Sequence, residues 1–169
     1  SPIAMSERRT TSTEMKERGY DPAAILDAEI QEEGIREAAV LIEEIHKAFP
    51  NDIPRPRITR SVANGLDDEW FLSNERFQEL NARDPEQKWT DVPADSVAES
   101  WTYFPFSDPE GWLFYLPAYM CHFLNDFPDS CHDAVVGACI SRQHFDLLNH
   151  QQLECIDRFL AFCTRYEIL

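Results

Sequence analysis

Glycine is scarce in this sequence, with five in 169 residues against eleven prolines. Tight turns that need a positive φ are therefore few, which argues against a fold of many β-hairpins. Positive charge is scarce too: fifteen Lys and Arg face thirty-one Asp and Glu, a net charge of −16. Such a surface repels phosphate backbones and anionic lipid, so it disfavours nucleic acid and membrane surfaces as partners and favours a basic protein. The longest apolar run, Trp112 to Met120, falls well short of the roughly 20 residues of a spanning helix. The cysteines Cys121, Cys131, Cys139, Cys155 and Cys163 are odd in number and lie mostly in apolar runs, so they read as buried reduced thiols and not as a disulfide frame. No basic-then-apolar leader opens the chain. The expectation is a cytoplasmic protein.

What is present points to one helical domain. An apolar fraction of 43% outweighs the disorder that 27% charged residues would otherwise suggest. Residues 1–20 are polar and aperiodic and read as a flexible tail, with Ser1–Ala4 a cloning remnant ahead of Met5; residues 21–169 read as a single acidic helical domain. Asp21-Pro22 is a helix-start signal, and Ile35, Ala38, Ala39, Ile42, Ile45 and Phe49 follow at the spacing of an amphipathic stripe. Gly34 either divides this region into two helices or weakens one, and Phe49-Pro50 ends it. The stretch "PNDIPRPRITR" forbids regular helix and carries Arg55, Arg57 and Arg60. It reads as a strap across a helical bundle whose arginines pair with the bundle's acids.

Residues 67–110 combine twelve acids with only Arg76, Arg83 and Lys88, a balance of −9, and are dense in aromatics. Asp67 or Asp68 is the expected cap of a helix running to about Leu80, and Asp84-Pro85 and Val92-Pro93 open two shorter ones. Aromatics anchor interfaces and acids steer basic partners toward them. The candidate partner-binding residues are therefore Asp67, Asp68, Glu69, Trp70, Trp89, Asp91, Asp95, Glu99 and Trp101.

The stretch "SDPEGWLFYLPAYMCHFLNDF" is apolar nearly all round, as a central helix is, with Pro117 in its middle. Ser107 and Glu110 match a capping box, and Pro117 predicts either a kink or two helices meeting at Leu116-Pro117. The fold class is thus mainly α, a compact domain around a central Pro-kinked apolar helix with an irregular Pro/Arg-rich strap. Near the end, Asn149 and Gln152 form a second capping box ahead of the apolar face of Leu153, Ile156, Phe159, Leu160, Phe162 and Cys163.

"PEGWLFYLPAYM", followed by "FDLLNHQQLECIDRFLAF", resembles a family of small uncharacterised bacterial proteins with a signature close to G-F-x-Y-Y-L-P-A-Y-M and then LL-x-x-x-Q-x-x-x-x-x-x-F-L. "PRPRIT" and "WTDVPADSV" stand in the order this family has, and the similarity spans roughly residues 35–165. The resemblance implies one intact domain and transfers no catalytic residue.

No C-x-x-C or H-x-x-x-H pair fixes a metal, and no glycine-rich phosphate loop or G-x-S-x-G elbow is present. Cys121 and His122 could meet Cys131 and His132 across a short connection, which makes these four the weak metal candidates. The sequence calls for no cofactor. It favours a non-enzymatic binding protein of the immunity or antitoxin kind, which neutralises a basic partner such as a toxin through an acidic, aromatic-rich face. The alternatives are a small metal-binding or regulatory domain using the C-terminal Cys and His, and an enzyme with a pocket at the Pro117 kink.

Overall fold

A computed structural model describes residues 9–130, 134–166 and 168. Among these residues the chain forms eight α-helices, two single-turn 3-10 segments and no strand. The mainly α architecture read from the sequence is the one observed.

Helix α1, Ser12–Glu17, corrects the expectation of a flexible tail to residue 20. So short a helix does not hold in water by itself. Thr11 and Glu14 close a capping box on it. The Ser12 backbone N–H and hydroxyl donate to the two oxygens of Glu32, each at 2.7 Å. These bonds dock α1 onto α2, Pro22–Ala48, which Gly34 does not divide. The buried face of α2 is Gly34, Ala38, Leu41, Ile45 and Ala48; Ile35 and Ala39, assigned to the inner stripe by their spacing, face outward. Close approach explains the rotation. A Cβ at Gly34 would sit 2.5 and 2.7 Å from ring carbons of Phe127 and 3.1 Å from Tyr166. Only the narrow face built on Gly34 and Ala38 admits the neighbouring elements, and bulky Ile35 is turned away.

The central element is α6, Pro109–Asp126, in which every residue from Phe114 to Cys121 is buried. Its cap is Asp108, whose carboxylate accepts the Gly111 N–H at 2.8 Å. Ser107, the expected cap, instead donates its hydroxyl to the Tyr103 oxygen at 2.7 Å. The helix runs through Pro117 without a break, so the two-helix alternative does not occur. The missing N–H of Pro117 costs about 3 kcal/mol in a regular interior. Complete burial of Leu116 and Met120 on either side offsets it. α2 packs along both α6 and α8, His150–Arg165. α8 also meets α6 through Phe123 and Phe159, ring centres 5.4 Å apart. The Asn149–Gln152 box caps α8 as its sequence predicts, with bonds of 2.8 and 2.9 Å, and the Gln152 amide donates to the Ala48 carbonyl at the end of α2.

Between α2 and α6 the chain forms the strap, α3 (Arg60–Asp68), α4 (Asn74–Arg83), a 3-10 turn (Trp89–Asp91) and α5 (Ala94–Glu99). Helix α7, Ala134–Ser141, packs against α6 and α8. Of the strap's arginines, all expected to pair with acids, only Arg60 does so among the described residues; the other two bind neutral groups. Arg55 donates to the Glu86, Asn81 and Asp84 carbonyls at 2.8 to 2.9 Å. Arg57 lies 4.1 Å over the Phe77 ring. Arg60 grips Glu86 with two bonds of 2.6 and 2.9 Å, and Tyr115 from α6 donates to the same carboxylate at 2.8 Å. Asp84 opens no helix of its own. It accepts both the N–H and the hydroxyl of Ser61 at 2.8 Å, so it caps α3 from 23 residues away. Asp67 and Asp68 likewise begin no helix but end α3, and Ser73 caps α4.

Two consequences are measurable. Gly34→Ala should lower stability by about 1–2 kcal/mol in urea unfolding, because overpacking exceeds the gain in helix propensity. Gly137→Ala, in α7 with open space around its Cβ, should raise it by about 0.5–1 kcal/mol. The second concerns Glu86, 1% exposed. Burial opposes its charge, but the bonds from Arg60 and Tyr115 outweigh that and hold its carboxyl below the usual range. A lowered folded value stabilises the fold above the unfolded pKa and is lost as pH falls through the folded one. Stability should therefore fall below about pH 4.5, with a shallower slope in Glu86→Gln. Arg60→Leu alone, which strands the Glu86 charge, should cost about 3–5 kcal/mol.

Candidate partner-binding surface

The end of α3 presents the most exposed aromatics of the chain. Gly65 is buried, with the side chains of Leu80 and Leu72 closing over it. These two leucines hold the α3–α4 turn against the domain and leave Trp70 and Phe71 outside, at 103% and 76% relative exposure. Asp67 and Asp68, separated from them only by Glu69, are exposed and make no ion pair among the described residues. Both sit at a helix C-terminus, whose partial negative charge disfavours a carboxylate by a few tenths of a kcal/mol. Glu69 differs. Arg76 holds it at 2.8 Å and also reaches Glu79, and those bonds draw the Glu69 carboxyl below its usual range.

Trp89 leaves the expected set of anchors. It is 2% exposed, and its indole N–H donates to the Phe49 and Pro50 carbonyls at 2.9 and 3.2 Å. It serves the carbonyls of the two residues that immediately follow α2. Asp91, Asp95 and Glu99 are exposed on the turn and helix that follow, and Trp101 is 64% exposed. The expected acids and two of the three tryptophans are therefore on the surface, distributed over the end of α3 and the region of α5. Phe71 was absent from the expected set, although its place beside Trp70 and two acids was the available signal.

Trp101 borders a cavity of about 40 Å³ between α5, α6 and the start of α7, walled by Val97, Tyr119, His122, Phe123 and Asp126 among others. Its His122 and Asp126, four residues apart on α6, were not grouped by the sequence reading. The tyrosine hydroxyls near Pro117 are occupied by the chain itself. Tyr115 donates to Glu86 and Tyr119 to the Ser100 carbonyl at 2.8 Å, and burial pushes both phenols up.

Of the four weak metal candidates, Cys131 and His132 lie outside the described residues. Cys121 is 7% exposed, and His122 lies with its Nε2 3.2 Å from the Val92 carbonyl. Among the described residues no three His, Cys, Asp or Glu side chains converge as metal ligands would. Burial, with the neighbouring Cys155 thiol, pushes Cys121 up to about 12; burial raises Cys155 to about 11 and Cys163 to about 12, and moves Cys139 in the same direction. A thiolate is the reactive form, so these four should resist alkylation at pH 8 in the folded protein and react at once in denaturant. Site-resolved mass spectrometry checks this, and rapid native labelling of any of the four would contradict it.

No helix among the described residues is long and apolar enough to cross a membrane. The chain belongs to a family of unknown function, DUF6714, which matches residues 37–167. No curated protein and no solved structure matches it.

Proposed function

We propose that this is a non-enzymatic binding protein that occupies a basic protein partner, in the manner of an immunity protein or antitoxin acting in the cytoplasm. The observation that carries the reading is the pair Trp70 and Phe71, both largely in solvent close to the unpaired carboxylates Asp67 and Asp68. A folded domain gains nothing from holding two large rings in water, and two acids at a helix C-terminus cost it stability. Both features become favourable against a partner with an apolar recess and a basic rim. The net charge of −16 adds long-range attraction, which can raise association rates by about 10–10³-fold at low salt.

The test is capture of partners from the native host, followed by binding kinetics with the one identified. Rising salt should slow association. Charge reversal by Asp67→Lys with Asp68→Lys should do the same, with dissociation little changed. Trp70→Ala should speed dissociation and cost about 2 kcal/mol or more while the fold persists. A captured partner that is acidic, or one indifferent to salt and to both variants, would overturn the reading.

A further inference from the structure

We infer that the cavity beside Trp101 is a receptor for a single lysine side chain. Its walls are apolar and aromatic: Val97, Tyr119, Phe123 and the indole of Trp101. Most of its polar groups are already committed. The Tyr119 hydroxyl donates to the Ser100 carbonyl, the Ser130 hydroxyl donates to the Phe123 carbonyl at 2.6 Å, and a His122 ring nitrogen faces the Val92 carbonyl. Among the described residues of the lining, Asp126 is the exception. Its side chain is exposed and carries no ion pair or hydrogen bond among the described residues.

Asp126 is also the last residue of α6. The carbonyls of a final helical turn carry partial negative charge, so the end of an 18-residue helix and its terminal carboxylate act in the same sense. A cation placed there relieves both. The rest of the cavity selects which cation. Aromatic faces attract positive charge and also accept methylene groups. A volume of about 40 Å³ holds roughly three water-sized groups. That matches the end of a lysine, two methylenes and an ammonium, better than a planar guanidinium with its five donors to satisfy. The ligand is therefore a slender apolar stem ending in one compact positive charge.

The inference rests on the proposed basic partner only for the macromolecule that carries the lysine, and the cavity can be examined without it. The probe is n-butylammonium chloride titrated into the full chain, with n-butanol as the uncharged match and amide and indole NMR shifts as the readout. Butylammonium should shift Val97, Trp101 and His122 in a saturable way, at least tenfold more tightly than butanol. Asp126→Asn should weaken it about tenfold or more. Trp101→Ala should weaken butylammonium and butanol together, whereas Glu43→Gln, on the exposed side of α2, should change neither. Equal affinity for the alcohol, shifts spread over the whole surface, or an unaltered response in Asp126→Asn would overturn the inference. Its failure is separable from that of the proposed function. A basic partner that binds Asp126→Asn as tightly as the original protein sinks the lysine site alone. A saturable butylammonium site in a chain that captures no basic partner sinks the proposed function alone.

Discussion

One ion pair joins the parts of this chain that no regular packing would bring together. Arg60 comes from the start of α3, Glu86 from the loop after α4, and Tyr115 from the middle of the central helix. All three are buried, and the guanidinium and carboxylate meet along two bonds. Burying either charge alone would cost several kcal/mol, so the loop can close on α6 only when the strap has delivered its arginine. Arg55 repeats the device with neutral groups, filling the carbonyls of Asn81, Asp84 and Glu86. A segment with three prolines in seven residues cannot satisfy its surroundings through a helical ladder. Side-chain donors do that work instead, and arginine carries the most of them.

The acids accordingly fall into two populations. Glu86, Asp84, Glu32 and Asp108 are consumed inside the chain, by an arginine, by a cap or by a docked segment. Asp67, Asp68, Asp91, Asp95, Glu99 and Asp126 face solvent without an ion pair among the described residues. The first group explains why an acidic chain folds at all with so few cations. The second leaves uncompensated negative charge at the surface, five of these six residues between Asp67 and Glu99, and that charge is what the proposed function uses.

Local signals were legible where the interaction is local. Asn149 and Gln152 lie three residues apart and cap each other, so their spacing suffices. The apolar girth of residues 112–124 likewise announces a central helix, whatever it packs against. The Thr11–Glu14 box was equally local, but the polar composition around it masked the signal. Long-range facts were not legible. That Asp84 caps Ser61, or that Trp89 closes the end of α2, depends on how the strap folds back, and no periodicity encodes it. The acidic surface was readable because charge near water obeys composition. The lining beside Trp101 was not, because it assembles side chains from α5, α6 and the segment beyond.

The tryptophans divide evenly between two environments. Trp89 and Trp112 are each 2% exposed, whereas Trp70 and Trp101 stand largely in water. Ultraviolet emission from this molecule is therefore a superposition of a blue component from the interior and a red one from the surface. The two respond to different events, the first to loss of the native packing and the second to anything that settles on the outside. A collisional quencher would see only the outer pair, and its sign matters. Iodide is repelled by a molecule of net charge −16, while caesium accumulates around it. The chain thus carries its own optical labels, already sorted into those that watch the core and those that watch the solvent.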